Sequence, residues 1–94
     1  MAIKSFKSAE LELIRDRKCP KGFPADLARV TRRKLVMLDA AAQLQDLKAP
    51  PANRLEALKG ERAGQHSIRV NDQFRLCFRW TDSGPEDVEF VDYH

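Results

Sequence analysis

His66-Ser67-Ile68-Arg69-Val70-Asn71-Asp72-Gln73-Phe74-Arg75-Leu76-Cys77-Phe78-Arg79-Trp80 is the stretch on which the fold turns. His66, Ile68 and Val70 alternate with Ser67 and Arg69, and Phe74, Leu76, Phe78 and Trp80 alternate with Arg75, Cys77 and Arg79. A period of two puts one set of side chains on each side of a strand, so both runs read as half-buried strands. Asn71-Asp72-Gln73 between them is turn chemistry, which makes the pair a hairpin. Phe74, Leu76, Phe78 and Trp80 are the core candidates, with His66 on the same side as a structural histidine. Arg69, Arg75 and Arg79 face the other way. Pairing across the hairpin brings Arg69 and Arg75 together near the turn. Like charges side by side are unfavourable unless an anion or a carboxylate lies between them, and a phosphate or Glu89 could fill that place.

Working outward, Val88 and Phe90 alternate with Glu89 and Val91 after the turn Asp82-Ser83-Gly84-Pro85, which predicts a third strand. Upstream the period changes. Leu27, Val30, Leu38, Ala41 and Leu44 recur at helical spacing, with Lys34 or Leu35 filling the gap, and predict a helix from about 25 to 47 that Pro50-Pro51 stops. Before it, Ser8 and the glutamates that follow suggest the start of a shorter helix running to about residue 17, with Leu11 and Ile14 turned inward. The loop from Lys18 to Pro24 joins the two helices, and Ile3 to Phe6 is a short strand candidate. The order β-α-α-β-β-β, with two helices on one face of an antiparallel sheet, is an α+β arrangement. At 94 residues, the expectation is a single domain over 1–94.

Composition narrows the function classes. The chain is 43% hydrophobic and 33% charged, a globular balance, and contains no apolar run near the ~20 residues that span a bilayer. Its first residues lack the apolar centre of a secretory signal, so a cytoplasmic location is expected. Cys19 and Cys77 are two lone thiols that form neither a metal-ligand pattern nor a disulfide framework. The net charge of +3 is unevenly spread. Residues 54–79 hold six basic side chains and three acidic ones, whereas residues 80–94 hold five acidic ones and no Lys or Arg. A basic middle attracts phosphate.

HExxH, CxxC, EF-hand, Walker and dinucleotide signatures are all missing from the sequence. Metal-free RNA cleavage needs only three things: a base for the 2′-hydroxyl proton, cations for the phosphorane charge and an acid for the 5′-oxygen. Arginine suits the second task because its planar fork matches phosphate oxygens. Asp92, Tyr93 and His94, which follow directly on the last strand, are able to transfer protons or accept hydrogen bonds.

The run from Asn53 to Phe78, with its core Leu58-Lys59-Gly60, Arg62, Gly64, Ser67-Ile68-Arg69, Asn71-Asp72-Gln73 and Arg75, resembles the centre of HigB-type toxins, also called plasmid maintenance system killer proteins. The closing Val91-Asp92-Tyr93-His94 resembles that family's C-terminus, and the likeness extends from Ile3 onward. HigB belongs to the RelE superfamily, whose compact α+β fold agrees with the order of elements above. The resemblance implies a toxin of a type II toxin-antitoxin system. Such a toxin is a ribosome-dependent endoribonuclease that cuts mRNA in the decoding site of the small subunit without a metal or cofactor. It also implies a HigA-like helix-turn-helix antitoxin as partner, which links the toxin indirectly to operator DNA.

Mapped by resemblance, Arg75 stabilises the phosphorane and Lys59 positions the RNA backbone. Asp92 and His94 handle protons, and Tyr93 orients or stacks on a base. Arg54, Arg62 and Arg69 contact phosphates. Some HigB toxins carry a histidine where this chain has Glu56, so the general base stays open among Glu56, Asp92 and His94. Two other functional readings are also open at this point. One is a ParE-like protein that inhibits DNA gyrase by binding, and the other is an RNA- or ribosome-binding module without cleavage.

Overall fold

The computed structural model describes residues 2–92; Tyr93 and His94 lie outside the described residues. Two helices, α1 (Ala9–Arg15) and α2 (Ala25–Ala40), precede four strands: β1 (Glu56–Ala57), β2 (His66–Arg69), β3 (Phe74–Thr81) and β4 (Gly84–Asp92). The strands form one antiparallel sheet in the order β1-β2-β3-β4. Ile68, Leu76, Phe78 and Val88 from the sheet are buried against Leu11 and Ile14 of α1 and Leu35 and Leu38 of α2. Both helices therefore cover one face of the sheet, as the α+β reading expects. Residues Phe74, Trp80 and Phe90 pack half-buried at the margin of this core. Among the described residues, no helix is long and apolar enough to cross a membrane.

Several elements differ from the expected ones. Ile3 to Phe6 is not a strand of the sheet. It runs beside β4 with a single parallel bridge, Phe6 to Val88, flanked by hydrogen bonds from Lys4 N–H to Pro85 O (2.7 Å) and from Val88 N–H to Ser5 O (3.0 Å). Ser8 stands at the start of α1 but does not cap it; its Oγ accepts from Phe90 N–H at 3.0 Å and ties the helix to the sheet. The first helix stops at Arg15, and Arg17 takes positive φ (67°) to turn the chain. The second helix ends at Ala40, not Leu47, because Ala41 turns to extended backbone (ψ 129°). A separate 3-10 turn follows over Leu44–Lys48, where the Asp46 carboxylate accepts from the N–H groups of Ala42 and Gln43, both at 3.0 Å. That local carboxylate competes successfully with continuation of the helix. The extra strand β1 escapes pattern reading because it is only two residues long and both are exposed.

The central hairpin follows the sequence closely. Arg69 stands opposite Arg75, Ile68 opposite Leu76 and His66 opposite Phe78. Asn71 Oδ1 accepts from the N–H groups of Gln73 (2.9 Å) and Phe74 (2.7 Å), which closes the turn. A bulge between Cys77 and Arg79 then shifts the pairing of β3 with β4, and Asp87 there takes positive φ (53°). Bulges of this kind bend and twist a strand, which helps the long β3-β4 pair curl around the helices.

Candidate active site on the open face of the sheet

Register assigns each functional side chain to a face. The row Glu56–Ser67–Cys77–Glu89 crosses all four strands, and Arg69, Arg75 and Arg79 share its side of the sheet. This is the face without helices. Two of the row's members, Ser67 and Cys77, are nevertheless fully buried. Arg75 bonds Ser67, and the Arg62 and Arg75 charges lie near Cys77. Leu58 N–H bonds Gln65 O at 2.9 Å, Gly60 and Gly64 take positive φ (65° and 90°), and Arg62 reaches Gln65 Oε1 at 3.2 Å and Glu89 Oε1 at 3.1 Å. A side chain at Gly64 would be strained by its backbone and would also touch the Arg79 guanidinium. Burial pushes the Cys77 thiol up; the neighbouring Arg62 and Arg75 charges partly oppose that.

Arg75 is the best-held cation on this face. Its Nε donates to Ser67 Oγ at 2.8 Å, and its Nη2 donates to Arg54 O at 2.6 Å. Both acceptors are themselves held. Ser67 sits between β1 and β3 with none of its surface exposed. Arg54 adopts left-handed backbone (φ 47°, ψ 54°) at the end of a 3-10 turn over Pro51–Asn53, and Asn53 anchors that turn. Asn53 is fully buried; its Nδ2 donates to Leu47 O (3.2 Å) and Ala49 O (3.3 Å), and its Oδ1 accepts from Lys34 Nζ at 2.6 Å. Burial, then the charges of Arg33 and Arg69, hold the Lys34 ammonium below the usual lysine range. A chain of contacts thus runs from α2 through Lys34, Asn53 and the Arg54 carbonyl to the Arg75 guanidinium.

Arg54, Arg69 and Arg75 line one pocket with Asn71 and Asp72, of about 180 Å³. The expected closeness of Arg69 and Arg75 is observed, and a carboxylate does lie beside them, but it is Asp72, ion-paired with Arg69. Glu89 pairs instead with Arg62 at 3.1 Å, and the Arg62 charge lies near Cys77. Glu56 is exposed on β1, opposite Ser67 and on the Arg75 face. Lys59 is exposed at the start of the 3-10 turn Gly60–Arg62.

Asp92 is not gathered with Arg75. It stands opposite Phe74, on the helix side of the sheet, and its Oδ2 accepts from Gln73 Nε2 at 3.0 Å. His66 lies on the core side as expected, half-buried across from Phe78, but its buried Nδ1 has no hydrogen-bond partner among the described residues. Sequence reasoning missed Ser67, Asn53 and Lys34. For Lys34 the signal was a cation in the gap of an apolar stripe. For Ser67 it was a hydroxyl within two residues of Arg75 in the hairpin register.

The comparisons agree with this architecture. A family model described as the RelE-like toxin of the type II toxin-antitoxin system HigB matches residues 4–94. Toxin HigB-1 of Vibrio cholerae is 45% identical over 78 residues, 82% of either chain. The Endoribonuclease HigB of Proteus vulgaris is 33% identical over 93 residues, covering 98% of this chain and 99% of its own. An uncharacterized protein of Haemophilus influenzae is 38% identical over 71 residues, 76% of this chain and 69% of its own. With its helices on one sheet face, its arginines on the other and a family match over nearly its whole length, the chain belongs to the HigB family of RelE-like toxins of type II toxin-antitoxin systems.

Proposed function

We propose that this chain is an endoribonuclease toxin that cuts mRNA in the decoding site of a translating ribosome, using side chains alone, and that a HigA-like antitoxin neutralises it. The observation that carries the reading is the gathering of Arg54, Arg69 and Arg75 around one small pocket on the open sheet face. Arg69 and Arg75 stand directly opposite each other with the Asp72 carboxylate paired to Arg69, and the planar forks gathered here suit the oxygens of a phosphodiester. The name of the Proteus relative, an endoribonuclease, supports the same chemistry.

In this reaction the 2′-hydroxyl oxygen attacks the adjacent phosphorus, the P–O5′ bond breaks, and a 2′,3′-cyclic phosphate and a 5′-hydroxyl result. Arg75, oriented by Ser67 and the Arg54 carbonyl, stabilises the charge that builds on the phosphorane oxygens. Arg54 and Arg69 hold neighbouring phosphates, and Lys59 and Arg62 guide the strand along the 58–65 segment. Glu56 shares the Arg75 face, which favours it over Asp92 as the base that takes the 2′-hydroxyl proton. His94 supplies the proton to the leaving 5′-oxygen, with Tyr93 orienting a base of the RNA. Antitoxin docking is supported by the acidic segment 80–92, which offers five carboxylates and no cation.

Primer extension on a defined mRNA in a reconstituted translation reaction tests this reading, with and without ribosomes. Cuts are expected only with ribosomes and the wild-type chain. Arg75→Ala is expected to lower the rate by about 10²–10³-fold, the usual cost of losing one oxyanion-stabilising donor, while the chain stays folded. Intact mRNA from a folded, growth-inhibiting protein would overturn the proposal.

A further inference from the structure

The pocket that gathers Arg54, Arg69 and Arg75 already holds a negative charge of its own. Asp72 lines it too, with its carboxylate ion-paired to Arg69. The two residues stand three apart, Arg69 at the end of β2 and Asp72 in the hairpin turn that follows. They differ in exposure: the Arg69 side chain is 30% exposed and that of Asp72 95%. Asn71 fixes the turn between them, because its Oδ1 accepts from the N–H groups of Gln73 and Phe74 and Val70 N–H donates to Phe74 O at 2.9 Å. The backbone at Asp72 is thus held in place while its side chain projects almost wholly into solvent.

Charge explains why a carboxylate sits there. Arg69 stands opposite Arg75, and its charge also reaches Lys34, whose ammonium it helps to hold below the usual lysine range. Cations gathered this closely repel one another, and a carboxylate among them relieves that repulsion in the unbound chain. Carboxylate and phosphate oxygens suit the same planar arginine fork, so Asp72 and an incoming phosphate compete for Arg69. An exposed ion pair is weak, which lets a phosphate displace Asp72. The displaced carboxylate nevertheless stays at the rim of a pocket of about 180 Å³. There it lies within the Debye length of about 10 Å at 0.1 M salt and continues to repel the phosphate.

We propose that Asp72 is a specificity-determining residue, a resident anion that occupies the phosphate place on Arg69 and makes the pocket reject an RNA strand held by few other contacts. The proposal rests on the reading of this pocket as the phosphate site for cleavage, and adds what the pocket discriminates against. A strand fixed by further contacts supplies the free energy that expels the carboxylate, and a loose strand does not. Such discrimination comes from a repulsive element and not from an added attraction. Two like unit charges about 4 Å apart in water weaken binding by a factor of about five, which sets the size of the effect.

The test titrates the intact chain with a fluorescent 2′-O-methylated RNA hexanucleotide, which cannot be cleaved, and reads anisotropy from about 50 to 200 mM salt. In parallel, the Nε–H resonances of Arg69 and Arg75 are followed with the hexanucleotide or with inorganic phosphate. Asp72→Asn, which keeps the shape of the side chain, is expected to bind the hexanucleotide about three- to tenfold more tightly at low salt. It should also steepen the slope of log affinity against log salt by about 0.7, the single-strand value for one further phosphate contact. Asp72→Glu, which keeps the charge, should bind like wild type. So should Glu12→Gln, which removes one negative charge from an exposed position of α1 on the helical side of the sheet. A hexanucleotide that moves both resonances yet binds Asp72→Asn no more tightly overturns the proposal. So does an equal gain in Glu12→Gln, which would make the effect one of net charge, and so does inorganic phosphate that binds wild type and Asp72→Asn alike. Phosphate that binds Asp72→Asn more tightly while the hexanucleotide moves neither resonance supports the competition by Asp72 and counts against the cleavage reading.

Discussion

Ser67→Ala is the perturbation that best isolates how the fold aims its central cation. Ser67 is fully buried, and its hydroxyl accepts from Arg75 Nε at 2.8 Å. A hydrogen bond to a charged group contributes about 1.5–3 kcal/mol net. Arg75 is half-buried rather than sealed, so water replaces part of the lost contact, and the lower end of that range applies to catalysis. About 1.4 kcal/mol of lost transition-state stabilisation is a tenfold drop in kcat/KM. Most of it should fall on kcat, because the charge still attracts RNA and only its aim is lost. The stability cost is smaller: alanine fits the same volume, the Arg54 carbonyl still accepts from Arg75 at 2.6 Å, and the freed Nε can turn to solvent. A loss below about 1 kcal/mol corresponds to a fall of at most about 4–8 °C in Tm. Ribosome-dependent cleavage by primer extension and a melt by circular dichroism measure the two effects on the same sample. Ser67→Thr, which keeps the hydroxyl, should recover most of the rate. Wild-type cleavage by Ser67→Ala, or a loss that tracks only its unfolded fraction, would refute the aiming role.

Other outcomes follow from the same geometry. Asn53→Ala leaves the Lys34 ammonium buried without its acceptor and frees two backbone carbonyls, so stability should fall by about 2–4 kcal/mol and Tm by more than about 8 °C; a change of only a degree or two would show that the 3-10 turn does not depend on it. Lys34 has a folded-state pKa below its unfolded value, so the unfolded chain binds its proton more tightly between the two, and this lysine's contribution to stability rises with pH in that window. Urea titrations of wild type and Lys34→Met from pH 7 to 10.5 should therefore show the difference shifting in favour of wild type as pH rises, and a shift the other way would contradict the depressed pKa. Of the two thiols, Cys19 is exposed and Cys77 is buried with its pKa raised. A chromogenic disulfide reagent should titrate one thiol quickly in the native chain and two in guanidinium; two fast native thiols would contradict the burial of Cys77.

Local pattern carried the fold a long way. The alternation from His66 to Trp80 determined both central strands, their hairpin and the opposition of Arg69 and Arg75, because a period of two and a tight turn leave little freedom in register. The stripe through Leu35 and Leu38 likewise determined where the second helix packs, and the LKG and SIR runs marked the family. What the sequence could not express were decisions made by partners distant in the chain. Whether the second helix continued past Ala40 depended on the Asp46 carboxylate capturing two backbone N–H groups, and whether residues 3–6 became a strand depended on how much of the β4 edge they could reach. The grouping of site residues was also tertiary. Asp92 and Arg75 look like partners by type, yet one residue of strand register puts them on opposite faces, because side chains alternate with a period of two. Conversely Lys34, Asn53, the Arg54 carbonyl and Ser67 converge on Arg75 from separate elements, and only the packing of α2 against the 50–54 turn brings them together.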